Sequence, residues 1–261
     1  MSVPLLNMYK IATWNLDRPT KNRIGKHIDR TQRIADQRAQ LWVLTETNRN
    51  LLIDGFRSIA TERPRFPGYG KEEAYAAIHH DASLQAEAWP TFDPCFAVCA
   101  RFASSPLGPL IVYGSIITYH MDGVMSGEAK AWQRHQEATQ QHGDDWRQLR
   151  RDYPDHTLVV AGDYNQALDG AGRYRNARST ALLRTAFQDA GLICLTDANF
   201  RARQGLSRHS VDHIAISAAA LQTWQAEATA WESSIPNTPQ LSDHNGVTVK
   251  LLPLHSDRAS S

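Results

Sequence analysis

Six short segments of this chain set residues able to bind a hard cation or move a proton at the end of an apolar run. Val159-Val160-Ala161-Gly162-Asp163-Tyr164-Asn165 delivers a carboxylate and an amide together. Tyr9 to Asn15 (YKIATWN) ends in an amide, and Leu41 to Glu46 (LWVLTE) in a carboxylate. Leu110 to His120 (LIVYGSIITYH) ends in an imidazole. Ser210-Val211-Asp212-His213-Ile214 places an acid at the start of an apolar run, and Leu241-Ser242-Asp243-His244 precedes the alternating Gly246-Val247-Thr248-Val249. Oxygen ligands accompanied by two histidines suit magnesium-assisted attack of water on a phosphate ester.

That chemistry needs a water made nucleophilic, charge neutralised on the phosphorus oxygens, and relief of charge on the departing alkoxide. Glu46 is the first candidate for magnesium, since a carboxylate at a strand end is what a hard cation seeks while it keeps several waters. Asn15 would sit beside it and orient a ligand water or the phosphate without adding charge. His244 is the candidate for proton transfer or for transition-state charge, because imidazole titrates near neutral pH and a carboxylate can hold its tautomer.

The apolar runs are rich in β-branched residues and bounded by turn residues, as strands are. Tyr75 to Ile78 and Phe96 to Phe102 read as further strands in antiparallel order, with Pro64, Pro67, Gly68 and Gly70 marking a loop. Asp29 to Gln40 reads as a surface helix. Ala129 to Tyr153 reads as a helix interrupted near Gly143, and Ser179 to Ala190 as a helix with Ser179 as N-cap and Gly191 as its stop. Two packed sheets flanked by helices fit this count. Trp14, Trp42, Trp224 and Trp231 read as core or sheet-face aromatics.

The ordered set WN, TE, YH, GDYN, SVDHI and SDHN, spanning Tyr9 to Val249, resembles the endonuclease/exonuclease/phosphatase superfamily. The resemblance implies a DNase I-like α/β fold: a four-layer α/β sandwich of two mainly antiparallel sheets packed face to face and flanked by helices, with the site at one end. It implies that Asp212 partners His244, that Asp163 aligns or deprotonates the attacking water, and that Asn165 hydrogen-bonds the scissile phosphate. It adds Asp243 to Glu46 and Asn15 as a third residue near the metal, Mg2+ with Mn2+ as substitute. It also favours His120 over the neighbouring Tyr119 as the site residue of its motif. The continuation Leu16-Asp17-Arg18-Pro19 departs from the pattern of abasic-site endonucleases and disfavours a base-excision repair role.

The expected activity is metal-dependent phosphodiester hydrolysis. The leading substrate is nucleic acid, DNA before RNA, and the alternative is a small nucleotide, a sugar phosphate or a lipid headgroup. A net charge of +1 gives no global basic field and leans toward a small substrate. Arg173, Arg175 and Arg178, with Arg201, Arg203 and Arg208, flank the motifs and lean toward the polymer; Arg147, Arg150 and Arg151 read as a solvated helix face. Cys95, Cys99 and Cys194 are too few and badly spaced for a disulfide framework or a zinc site. His79 and His80 adjoin on a strand and point to opposite faces, which argues against a metal pair; most of the remaining histidines read as surface or helix residues, and His209, next to the Asp212 motif, could contact substrate, though nothing in the sequence demands it. Motifs from both ends of the 261 residues are needed for one site, so the expectation is one domain, core about 9–252, with a short polar tail. No run approaches a membrane span and MSVPLLNMYK lacks the form of a signal peptide, which leads us to expect a soluble cytoplasmic protein without a membrane partner.

Overall fold

Two six-stranded sheets are built to one plan in the computed structural model, which describes residues 8–18, 24–64, 68–170, 172, 174–233 and 240–254. The first holds β1 (Tyr9–Asn15), β2 (Leu41–Asn48), β3 (Phe56–Ala60), β4 (Glu73–Asp81), β11 (Trp224–Trp231) and β12 (Gly246–Pro253), in the order β11-β12-β1-β2-β4-β3. The second holds β5 (Ala86–Trp89), β6 (Ala97–Phe102), β7 (Leu110–Ile116), β8 (Thr157–Asp163), β9 (Leu192–Cys194) and β10 (Asp212–Ser217), in the order β5-β6-β7-β8-β10-β9. In each, the central ladder is parallel, β1 with β2 and β7 with β8, and every other ladder is antiparallel.

Period-two alternation sorts the side chains of the central strands into layers. Ile11, Val43, Val112, Val159 and Ile214 meet between the sheets. The alternate residues Trp14, Trp42 and Leu44 face outward, where α1 (Ile24–Gln37) covers them with Ile34. On the other side Ile111, Tyr113, Leu158 and Val160 lie under α2 (Gln133–Asp152) and α3 (Ala177–Asp189), which contribute Trp146, Leu183 and Phe187. Strands buried on both faces explain the near-continuous apolar runs of the sequence. The result is the expected four layers. Trp14, Trp42 and Trp231 are buried and pack edge to face, and Trp224 is packed against the inter-sheet core.

Local boundaries differ from the sequence reading for identifiable reasons. Gly143 does not interrupt α2; a Cβ there would come within 2.8 Å of the Ala186 Cβ, so the glycine is what lets α2 and α3 pack closely. Helix α3 is capped by Asn176, whose side chain accepts from the Ser179 N–H at 3.0 Å, and not by Ser179. Helix α1 lies earlier in the chain than expected, and Pro67 and Arg173 fall outside the described residues. The remaining elements are α4 (Phe200–Gln204) and a 3-10 turn at Ala218–Gln222. No helix among the described residues is long and apolar enough to cross a membrane. The cysteines form no disulfide among the described residues.

Candidate active site

The shared plan of the sheets determines where the polar motifs gather. Parallel strands finish at the same edge, so β1 and β2 deliver Asn15 and Glu46 together, and β7 and β8 deliver the segments following Ile116 and Asp163. Antiparallel neighbours begin where these end, so Asp212 opens β10 directly opposite Asp163, and His244 stands just before β12. Gly162 is required at this edge: its φ is +146°, and a Cβ would sit 1.9 Å from the Ser115 carbonyl oxygen of β7. Gly246 is required by close approach, since a Cβ there would lie 1.9 Å from the Trp231 ring.

His244 and two aspartates form the centre. The imidazole Nδ1 lies 2.7 Å from Asp212 Oδ2, and Nε2 lies 3.9 Å from both Asp163 Oδ2 and Asp243 Oδ1. One ligand atom each of Asp163, Asp212 and His244 falls within 4.8 Å of the others. Asp163 is held from several sides. Asn15 Nδ2 donates to its Oδ2 at 3.0 Å, and the Asn165 N–H donates to its Oδ1 at 2.9 Å. The Asn165 side chain donates to the Ile117 carbonyl at 3.0 Å and to Asp163 Oδ2 at 3.3 Å. The backbone of His244 is fixed as well, its carbonyl accepting from Trp14 Nε1 at 3.1 Å and its N–H donating to Ser242 Oγ at 3.0 Å.

Two site residues occupy the left-handed backbone region, Glu46 at φ +43° and Asn165 at φ +47°. For non-glycine residues this costs on the order of 1–2 kcal/mol each. At Glu46 it breaks the alternation that would set the carboxylate on the outer face with Trp42 and Leu44.

Electrostatics reflect three acids crowded around one base. Burial disfavours a charged His244, but the Asp212 and Asp163 carboxylates outweigh it and raise the imidazole to about 10, so it is cationic at neutral pH. Burial pushes Asp163 and Asp212 upward against the pull of that cation. Glu46 is raised to about 7 by burial and then by Asp163, with an opposing hydrogen bond from Asn15.

Asn15, Glu46, Asp163, Asn165, Asp212 and His244 are thus brought together, and Asp243 stands at the exposed rim with 62% of its side chain accessible. Asn15 offers donors to the acids, while its Oδ1 accepts from the Asp17 N–H at 2.8 Å. His120 stands apart from this hydrogen-bonded cluster. Strand β7 stops at Ile116, and the His120 ring lies in the following turn against Trp132, 5.2 Å away, and Tyr174, 5.5 Å away. The run from Leu110 is therefore not one strand: the Ile117 N–H makes the last ladder bond, to the Asp163 carbonyl, and the chain beyond it leaves the sheet.

Several histidines expected on the surface are buried. His135 bonds the Tyr164 carbonyl at 3.1 Å and His213 the Gln166 carbonyl at 2.8 Å, so two imidazoles clamp the backbone just after Asp163, and His142 clamps the end of the neighbouring β7 at the Ile116 carbonyl, 3.3 Å away. His79 and His80 are also buried, as adjacent residues of β4. Sequence reasoning missed these clamps and the anchoring role of Ser242. The latter had a signal, a serine two residues ahead of the key histidine; the former had none, since His135 and His142 lie in a polar helical stretch. Arg147 and Arg151 pair with neighbouring acids on α2, as a solvated face does.

No family model matches this chain, and no curated protein matches it in sequence. Its structure is similar to that of an AP endonuclease from Leishmania major, with a TM-score of 0.69 at 13% identity over 94% of this chain and 88% of the other. It is similar to an endonuclease/exonuclease/phosphatase from Bacteroides vulgatus, with a TM-score of 0.65 at 13% identity over 95% and 100% of the two chains. It is also similar to a 3′-5′ exonuclease from Neisseria meningitidis, with a TM-score of 0.64 at 17% identity over 92% and 98%. With two like-built sheets and the polar residues at the shared strand edge, this chain has the DNase I-like fold of the endonuclease/exonuclease/phosphatase proteins.

Proposed function

We propose that this protein is a divalent-metal-dependent phosphodiester hydrolase that cleaves nucleic acid, DNA in preference to RNA, by attack of water on phosphorus. The observation that carries the reading is the Asp163–His244–Asp212 constellation, with Glu46 and Asn15 beside it, at the strand edge shared by both sheets. Nuclease activity in the names of two of the similar structures supports it.

The donor chemistry fits a hard cation. Burial, and after it the neighbouring Asp163 carboxylate, raise Glu46 to about 7, a charge frustration that a divalent ion relieves. Glu46 would hold it, with the Asn15 amide and Asp243 as the further oxygen donors. When bound, magnesium or manganese supplies positive charge to the phosphate and to the leaving alkoxide.

His244 is cationic, and its Nε2–H faces the cleft, which suits donation to a phosphate oxygen as charge grows there. Asp212 holds the ring by Nδ1 and keeps Nε2 aimed. Asp163 is pushed upward by burial and is therefore the better proton acceptor for the attacking water. A water bonded to both Asp163 Oδ2 and His244 Nε2 fits their 3.9 Å separation. Asn165 gives its amide N–H groups to Ile117 and Asp163, so it orients the base in this structure and leaves the phosphate to His244.

The test is cleavage of supercoiled plasmid, single-stranded DNA and RNA with magnesium or manganese against EDTA, using Glu46→Ala and His244→Ala as controls. Metal-dependent cleavage lost in both variants is expected. Absence of cleavage by folded wild-type protein sinks the nuclease reading and leaves small phosphoesters.

A further inference from the structure

A second histidine–aspartate pair lies beside the first and is not used by the chemistry above. His209 Nδ1 is 2.6 Å from Asp169 Oδ2, with the Asp169 side chain only 5% exposed. The other ring nitrogen, Nε2, is 3.3 Å from Arg201 Nη1. A guanidinium can only donate, so Nε2 accepts and the ring proton sits on Nδ1 toward Asp169. The direction of the relay is thereby fixed, from the Arg201 guanidinium through the imidazole to a buried carboxylate. Such a shell holds an otherwise free surface arginine in one orientation.

His209 of this pair lines a cleft of about 440 Å³ that opens from the active site. At the active site it is lined by Asp212, Asp243 and His244, and its lining also includes Arg208, His209 and Tyr174. Arg208 is anchored by a hydrogen bond to the Asp243 carbonyl, its own carbonyl accepting from Asn245 Nδ2 at 3.2 Å, and the residue remains exposed. Tyr174 is 41% exposed with its ring edge-on to His120, leaving an aromatic face on the cleft. Arg208 and the Tyr174 ring line the cleft, and Arg201 is held against its lining residue His209; guanidiniums and an aromatic ring are the groups that hold a phosphate and the base or sugar attached to it.

We propose that this cleft is a subsite for a second phosphate group of the substrate, held by Arg208 and by an Arg201 that the Asp169–His209 pair orients. The inference deepens the reading of the site as a phosphodiester hydrolase and rests on it for the word substrate. The second phosphate belongs to a nucleotide neighbouring the scissile bond or to a small bisphosphate, and the two sources share this chemistry. His209 is a positioning residue, acting through Arg201.

Binding separates the subsite from catalysis. Fluorescence anisotropy of a labelled single-stranded DNA oligonucleotide, measured on the full chain in EDTA, is expected to show Arg208→Ala and Arg201→Ala each weakening affinity about fivefold or more, with the dependence of log affinity on log salt shallower by about 0.7 for each contact removed. Arg208→Lys should recover part of the loss. His209→Gln should weaken binding about as much as Arg201→Ala, and the double variant no more than Arg201→Ala alone, which a general loss of structure would not produce. Arg147→Ala, on the far helix face, is the unchanged control. Adenosine 3′,5′-bisphosphate is the competitor that identifies the source: displacement at micromolar concentration supports a small bisphosphate, and displacement only by unlabelled oligonucleotide supports a neighbouring nucleotide. Equal affinity and equal salt slope across wild type, Arg208→Ala and Arg201→Ala overturn the subsite. Hydrolysis of bis(4-nitrophenyl) phosphate by wild type tests the underlying reading separately, since that ester has a single phosphate.

Discussion

The Ser242 hydroxyl donates to the Asn15 carbonyl at 2.6 Å and accepts the His244 N–H at 3.0 Å, so one buried side chain ties the end of β1 to the residue that faces the cleft. Ser242→Ala leaves both backbone groups without their partner, a cost of about 1–3 kcal/mol. It also frees His244 to shift relative to Asp163. Urea melts should register the stability loss, and turnover should fall more than tenfold while the fold persists; full activity in a destabilised Ser242→Ala protein would show that the tether serves stability alone.

Asp212 and His244 act as one unit at 2.7 Å, so their removals should not add. His244→Ala is expected to lower kcat by about 10²–10⁴. Asp212→Ala should cost nearly as much, and the double variant little more than either. Strictly multiplicative losses would mean that the two side chains work independently.

Glu46 titrates in a direction that makes the metal-free protein sensitive to alkali. Its folded value of about 7 stands above the ordinary 4.5, so the folded state favours the protonated acid. Stability tied to this group is fully present below 4.5 and is lost as pH rises through about 7, by up to about 3 kcal/mol. In EDTA, Glu46→Gln should therefore be more stable than wild type at pH 8, with the gap closing toward pH 4.5. Magnesium should raise the melting temperature of wild type and leave Glu46→Gln nearly unmoved. A gap that is the same at both pH values would remove the carboxylate repulsion from the account.

Strand ends were readable from the chain because the central strands are buried on both faces, and the apolar runs stop where a polar residue meets the site, as at Asn15 and Asp163; at Glu46 the apolar run stops but β2 continues to Asn48. Asp212 and His244 were readable for the same reason at strand beginnings. What the runs do not encode is where the backbone leaves strand geometry within them. His120 was placed at a strand end because Ile117 and Thr118 prolong the apolar and β-branched run, whereas the ladder already stops at Ile116. Nothing local indicates the left-handed backbone at Glu46. The buried histidines were missed because imidazole is as common on a polar helix face as beneath one, and their carbonyl partners lie far along the chain.

Gly162 gives a sharp test of how the site is spaced. A Cβ at that position would lie 1.9 Å from the Ser115 carbonyl oxygen, which belongs to the backbone of β7 and cannot rotate away. Gly162→Ala must push β8 from β7 just ahead of Asp163, and it adds a disfavoured φ. We expect more than about 3 kcal/mol of destabilisation, or insoluble protein. Gly170, also at positive φ but with nothing within 4 Å, is the comparison: Gly170→Ala should cost only about 1 kcal/mol. Similar losses at the two positions would deny the close approach of the strands.

The buried histidine clamps carry a pH dependence opposite in sign to that of Glu46. Burial lowers His135 to about 4 and His142 to about 3, and it lowers His213 too, against an ordinary value of 6.5. The unfolded chain therefore takes up protons that the folded chain refuses. Stability tied to these groups is fully present above 6.5 and is lost as pH falls toward about 4 for His135 and about 3 for His142, by about 1.4 kcal/mol per pH unit for each group. His135→Gln keeps an N–H within reach of the Tyr164 carbonyl and removes the titration, so it should flatten the loss between pH 6.5 and 4. Urea denaturation across that range measures the slope, and an unchanged slope in His135→Gln would exclude this histidine as a source of acid lability.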